Sequence, residues 1–375
     1  MKRHKVLFVI ESLGGGGAEK VLTTLLRHLD YSGFEVGLLS VADGGIHKTE
    51  LPKEIKYYSA LSLERQSGWW YRLKHRFIHR ILPMWLVNRW IMPCGYDTHV
   101  AFVEGFATKL VAAGPSRLRK IAWVHTDLVK NHWISCVYGA PRDEIRDYRS
   151  FARICCVSEI VRDSMHKLYS LDFATCVVYN PVDAGEIRDK ALESIEDIDY
   201  SRHSGRVRLC SVGRFEYQKA FGRLVKIIER LVVQGFDVEL WLIGGGSEKT
   251  AIESYIREHG LSERIKLLGY KKNPYKYMAQ SDIFVCSSLA EGYSTAVSEA
   301  VILGLGVVTT DCSGMREILG DNEFGIITEN DEKSLECALK DAVCDVEKLR
   351  NMVLPRKSFY DIDLSMNKIQ EILMP

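Results

Sequence analysis

Short β-branched runs alternate with amphipathic stretches along most of the chain, and they fall into two series. The first comprises Val6–Ile10, Val36–Ser40, Thr98–Val103, Lys120–His125, Arg153–Val157 and Cys176–Tyr179. The second comprises Val207–Val212, Val238–Ile243, Ile265–Leu268, Ile283–Cys286, Val307–Thr310 and Gly325–Ile327. Continuous apolar runs of this length suit strands covered on both faces, the environment of a parallel sheet. Parallel strands need crossovers, and the intervening stretches supply them. Phe221–Gln234 before Gly235, and Ser247–His259 before Gly260, read as helices that glycine ends. A charged, polar stretch at 184–205 separates the two series and reads as a linker plus a first helix. The expectation is an α/β protein of two doubly wound parallel-sheet (Rossmann-like) domains, 1–185 and 186–356. A C-terminal helix at about 357–375 is expected to pack back on the first domain. With 375 residues, 46% of them apolar, the chain can fill two or three cores. Doubly wound sheets bind ligands beyond the carboxyl ends of their strands. Two such sheets facing each other place the expected site in the cleft between them.

Charge and cysteine usage narrow the classes. A net charge of +1 gives no overall case for nucleic-acid binding. The ten cysteines include no C-x-x-C pair, and several lie inside strand-like runs, as at Cys155, Cys156 and Cys286. They read as buried thiols in a reducing compartment, not as a disulfide framework or metal site. The N-terminus reads as a first strand and not as a signal peptide. No apolar stretch reaches the ~18 residues of a membrane span. A cytoplasmic protein is expected.

Four segments carry chemistry. After the first strand comes Gly14-Gly15-Gly16-Gly17-Ala18-Glu19-Lys20 and the start of a helix. Glycines here allow close backbone approach, and the helix start favours an anion. The dinucleotide fingerprint G-x-G-x-x-G does not fit cleanly, which argues against an NAD-dependent dehydrogenase. The second segment, Gly213-Arg214-Phe215-Glu216-Tyr217-Gln218-Lys219, lies between a strand and a helix. Its guanidinium fork and point charge suit a departing diphosphate; a solvated basic turn is the alternative. In the third, Glu291 and Glu299 bracket seven residues, with a helix expected from about Ser294 to Leu303. Ser294 and Thr295 sit where free N–H groups meet phosphate oxygens. Glu299 falls just past the buried arc of Val297, Ala300, Val301 and Gly304, so it can face a cleft while Glu291 stands on the preceding loop. The fourth is an exposed His125 at a strand end, able to meet a substrate hydroxyl or developing positive charge.

Together these segments resemble the retaining GT-B glycosyltransferases of family 4. The matching pieces are Gly16–Lys20, Asn180-Pro-Val-Asp183, Gly213-Arg214 with Gln218-Lys219, Leu242-Ile-Gly-Gly-Gly246, Leu268-Gly-Tyr270 and Glu291 to Glu299. The resemblance implies that Arg214 and Lys219 bind the donor diphosphate, Glu291 the donor-sugar hydroxyls and Glu299 the ribose. Gly16 and Gly17 would approach the phosphates, with Ser294 and Thr295 also on the donor. Backbone near Tyr270 would meet the base, and His125 would lie by the sugar. The catalytic set is then His125, Arg214, Lys219 and Glu291. The donor expected is a nucleotide-diphosphate hexose or N-acetylhexosamine, UDP-linked before GDP-mannose. The resemblance also implies no metal and no cofactor. Front-face displacement through an oxocarbenium-like transition state would proceed while the leaving diphosphate helps deprotonate the acceptor. Ala220 stands where the family usually has glycine, and Gly306 where it usually has proline. A nucleotide-sugar epimerase of related fold is the second reading.

Residues 65–96 hold Arg65, Arg72, Lys74, Arg76, Arg80 and Arg89 and no acid, with Trp69, Trp70, Trp85 and Trp90. At helical spacing Arg72, His75, Arg76, His79 and Arg80 form one stripe, and Trp70, Leu73, Phe77 and Ile81 another. A basic, aromatic amphipathic helix suits an anionic membrane surface or a lipid-diphosphate acceptor. Arg72, Arg76 and Arg80 are thus candidates for membrane or acceptor contact. The partner expected is a polyprenyl-diphosphate-linked glycan, met by a peripheral enzyme on the inner face of the cell membrane.

Overall fold

The computed structural model of the protein describes residues 3–61, 83–171, 174–198 and 206–375. Two compact units result, Met1–Pro181 with Asp363–Pro375, and Val182–Ile362.

The first unit is built on a seven-stranded sheet of order β3-β2-β1-β4-β5-β6-β7. Its strands are β1 (His4–Ile10), β2 (Phe34–Ala42), β3 (Lys56–Leu61), β4 (Thr98–Ala101), β5 (Arg119–Val124), β6 (Arg153–Cys156) and β7 (Thr175–Val177). All six pairings are parallel. β1 pairs with β2 on one side and with β4 on the other, so the winding reverses there. Val6, Leu7, Phe8 and Val9 are fully buried, which is why this run reads as continuously apolar. Phe102 packs edge-on to Phe8 and lies 5.2 Å from the ring of Trp123. The last helix, Ile362–Leu373, belongs to this unit. Arg119 donates to the carbonyls of Ile372 and Leu373 at the helix end, where cations meet the negative pole of the dipole. Strand β3 was not among the expected strands. It lies at the sheet edge, none of Lys56–Ala60 is buried, and no β-branched run marks it.

The second unit holds a six-stranded parallel sheet of order β10-β9-β8-β11-β12-β13. These are β8 (Val207–Val212), β9 (Val238–Ile243), β10 (Ile265–Gly269), β11 (Ile283–Cys286), β12 (Gly306–Thr310) and β13 (Ile326–Thr328). The winding reverses at β8 and β11, which pair through Leu209 and Cys210 with Ile283 and Phe284. Helix Phe221–Val233 buries Leu224, Val225, Ile227, Ile228 and Leu231 on the sheet. Its end is turned by Gly235 at φ +91°, a conformation that costs glycine little. The linker begins as helix Ala184–Ala191, capped by Asp183, whose side chain accepts from the Glu186 amide at 2.8 Å. The Asn-Pro-Val-Asp segment therefore builds a helix start.

All ten cysteines are free thiols; Cys155, Cys156, Cys210, Cys286 and Cys312 are buried, while Cys94, Cys136, Cys337 and Cys344 are exposed. Among the described residues no helix is long and apolar enough to cross a membrane. Arg72, Arg76 and Arg80 lie outside the described residues. The pattern resumes as helix Met84–Ile91, which leaves Trp85 and Trp90 62% and 69% exposed.

Candidate active site

Because β8 and β11 are neighbours, the loops at their carboxyl ends meet. This joins residues 72 positions apart: Lys219 Nζ donates to Glu291 Oε1 at 2.6 Å. The same oxygen accepts from Ser288 Oγ at 2.5 Å. Backbone and side chains stitch the two loops together around this pair. Gln218 Nε2 donates to the Ala290 carbonyl at 2.6 Å, the Leu289 amide to the Gln218 carbonyl at 2.7 Å, and Ser287 Oγ to the Lys219 carbonyl at 2.9 Å. Glu291 is 9% exposed, and the Lys219 side chain 23%. Burial works to lower the Lys219 pKa, but the Glu291 charge and hydrogen bond, with Cys286 behind, outweigh it and raise the value above the ordinary lysine range. Arg214 stands on the same loop, exposed, and its guanidinium has no hydrogen-bond or ion-pair partner among the described residues.

The glycine triplet after β9 shapes the loop's underside. A Cβ on Gly244 would lie 1.9 Å from the Gly213 carbonyl oxygen, and one on Gly246 would lie 2.5 Å from that of Phe215. Side chains there would push the Arg214–Lys219 loop off its seat. The amides of Gly213 and Phe215 instead bond the carbonyls of Ile243 and Gly245. Ala220 closes the loop in the left-handed region at φ +49°.

Helix Thr295–Leu303 begins with Ser294, whose side chain accepts from the Val297 amide. Ser294 is buried and Thr295 half-buried. Glu299 departs from the sequence expectation of an open edge position: it is 4% exposed. Ala184–Ala191, Tyr275–Met278 and Leu354–Ser358 all pack on this helix and leave Thr295 and Ala296 of its first turn half-buried. Tyr275 Oη approaches Glu299 Oε1 at 3.5 Å. Tyr270, just past β10, is 55% exposed.

In the first unit, Gly16 precedes helix Gly17–His28; Gly16 is buried and Gly17 exposed. A Cβ on Gly16 would lie 2.2 Å from Glu19 Oε2, so a side chain here would displace the Glu19 carboxylate from over the helix start. His125 is not exposed as expected but half-buried. Its Nε2 lies 2.9 Å from the Phe102 carbonyl, to which it donates, and its ring packs 5.1 Å from the Phe102 ring. Burial, opposed only by that hydrogen bond, lowers its pKa to about 4. The imidazole is therefore neutral near pH 7, with the proton on Nε2 and a lone pair on Nδ1.

Three acids at the same edge were not singled out from the sequence. Glu11, after β1, accepts from the Phe106 amide at 2.9 Å. Glu104, after β4, accepts from the amides of His125 and Thr126 at 2.6 and 2.5 Å. Asp127, after β5, accepts from Ser164 Oγ and from the amides of Val129 and Lys130. Each acid thus ties its own strand end to another segment of that edge. An acid just past a predicted strand was the available signal, but its meaning depends on strand order.

Residues 15–186 match the model described as Glycosyltransferase Family 4, and residues 196–354 that of Glycosyl transferases group 1. A Campylobacter jejuni protein is 32% identical over 363 residues, 92% of each chain; it is N-acetylgalactosamine-N,N'-diacetylbacillosaminyl-diphospho-undecaprenol 4-alpha-N-acetylgalactosaminyltransferase. The chain belongs to glycosyltransferase family 4. Its fold is likewise that of Anabaena Alr3699/HepE, solved in complex with UDP and glucose, at TM-score 0.75 and 19% identity over 99% of both chains. Sucrose-phosphate synthase from Thermosynechococcus elongatus superposes at TM-score 0.73 and 14% identity, covering 99% of this chain and 98% of that one. The protein is a glycosyltransferase with the two parallel-sheet domains of the GT-B class. None of these relatives is named as an epimerase.

Proposed function

We propose that this glycosyltransferase moves an N-acetylhexosamine or hexose, with retention, from a UDP-sugar to a polyprenyl-diphosphate-linked glycan, without a metal ion. The observation that carries the reading is the Lys219–Glu291 pair beside the exposed Arg214. A cation already held by a carboxylate is fixed before substrate arrives, which is the preorganisation that stabilises developing charge on a leaving diphosphate. Arg214 adds a planar fork suited to phosphate oxygens. Glu291, whose second oxygen has no hydrogen-bond partner among the described residues, would take donor-sugar hydroxyls, and Glu299 the ribose. Gly16, Gly17, Ser294, Thr295 and Tyr270 complete the donor contacts. His125, neutral, would offer Nδ1 as an acceptor beside the sugar.

The Campylobacter jejuni relative acts on a diphospho-undecaprenol-linked glycan, and HepE was solved with UDP. Both favour a lipid-linked acceptor and a UDP-linked donor, and the first favours N-acetylgalactosamine. The exposed Trp85 and Trp90 and the basic run containing Arg72, Arg76 and Arg80 support docking on the cytoplasmic face of an anionic membrane. The test is incubation with UDP-N-acetylgalactosamine and a polyprenyl-diphosphate-linked N-acetylhexosamine, with the product's anomeric proton read by NMR. An α-linked product from the α-donor, formed in the presence of a chelator, is expected. A β-linked product, or an epimerised donor without transfer, overturns the reading.

A further inference from the structure

We propose that Glu104 is a positioning residue for glycosyl transfer: its carboxylate fixes the strand end on which His125 is presented to the reacting sugar. The inference rests on the role proposed for His125 beside the sugar. Two consecutive amides, those of His125 and Thr126, emerge beyond the last residue of β5, and both converge on Glu104 Oε1. The ring of the same histidine is held by the carbonyl of Phe102, two residues before Glu104. Residues 102–104 thus grip His125 at its backbone and at its ring, which sets both the position of Nδ1 and its direction.

The geometry has been made for this grip. Gly105 follows at φ +94°, a conformation open to glycine and strained for other residues. There the chain turns so that Glu104 reaches β5 while the next helix, Phe106–Ala112, starts at once. A Cβ on Gly105 would stand 3.0 Å from the Trp133 ring and 3.2 Å from Glu11 Oε1. Glu11 in turn holds the Phe106 amide and so pins the far side of the turn. Glu104 is 2% exposed, and burial, opposed by these hydrogen bonds, raises its pKa to about 7. An uncharged acceptor would satisfy the same two amides with less desolvation. Tyr148 and Tyr169, both buried, and Cys156 are the titratable groups that feel its charge from the neighbouring elements.

The experiment uses the full chain and four variants: Glu104→Ala, Glu104→Gln, His125→Ala and the double Glu104→Ala/His125→Ala. In protein with 15N-labelled histidine, the His125 resonances, assigned by their loss in His125→Ala, report the tautomer without substrate. A single Nε2–H tautomer in the wild type and in Glu104→Gln, giving way to a mixture in Glu104→Ala, is expected. Transfer from UDP-N-acetylgalactosamine supplies the second readout. Glu104→Ala should lower kcat by ~10-fold or more with donor KM little changed, as small misplacements of reacting groups do, and Glu104→Gln should restore most of it. The double variant should be no slower than His125→Ala, because the two residues act as one. An unchanged tautomer in Glu104→Ala, or losses that multiply in the double variant, overturn the inference and leave the role of His125 standing. A folded His125→Ala with full activity overturns that role and the inference with it.

Discussion

Glu104→Gln should make the protein's stability less sensitive to pH between 5 and 8. The wild-type carboxyl has a folded pKa of about 7 against an ordinary 4.5, so between those values the native state binds more protons than the unfolded state. Stability then falls as pH rises through that window and levels off above it. The separation of the two values corresponds to about 3 kcal/mol, at ~1.4 kcal/mol per pH unit. Both amide bonds to Glu104 end on Oε1, which a glutamine carbonyl oxygen can replace, so the variant keeps the grip and loses the titration. Glu11 is also raised by burial and His125 lowered, but both are present in the two proteins and cancel in the difference. Urea unfolding at pH 5, 6, 7 and 8, at constant ionic strength, measures it. The stability of Glu104→Gln relative to wild type should rise by on the order of 2–3 kcal/mol from pH 5 to pH 8. Parallel pH profiles would refute the reasoning, because they would mean that Glu104 titrates alike folded and unfolded.

Three further outcomes follow from the geometry. Ala220→Gly should stabilise the second unit by about 1 kcal/mol, since left-handed backbone costs a non-glycine residue ~1–2 kcal/mol and glycine's freedom when unfolded takes back part; thermal unfolding decides it. Lys219 has a raised pKa, so its contribution is complete below the ordinary lysine value and is lost as pH climbs through the raised one. Lys219→Met should therefore flatten the alkaline limb of the stability profile above about pH 10, and an unchanged limb would contradict the pairing with Glu291. Neutralising Arg72, Arg76 and Arg80 together should lower flotation with anionic liposomes and leave recovery with neutral liposomes unchanged; equal recovery throughout would remove the membrane docking.

The parallel sheets were legible because their central strands are covered on both faces, so Val6–Val9 and Leu240–Ile243 are apolar without interruption. Edge strand β3 follows a different rule: none of Lys56–Ala60 is buried, and the strand carries no such run. The Arg214–Lys219 and Glu291 loops could be paired in advance because both follow strands, and the adjacency of β8 and β11 brings them into contact. Glu299 was misplaced for a local reason. Helix periodicity separates a buried arc from an open one only when one side is open, and three elements cover most of this helix. Glu11 and Glu104 were invisible because their partners, Phe106 and His125, become neighbours only once β1, β4 and β5 lie side by side.

The claim on which the account turns is that Lys219 and Glu291 form the donor-binding centre. The most direct measurement is the rate of sugar transfer by Lys219→Ala and by Glu291→Ala, each first shown to be folded by circular dichroism and thermal unfolding. Each rate should fall by ~100-fold or more, as when a preorganised transition-state contact is removed. Rates like the wild type's, in folded variants, would contradict the account.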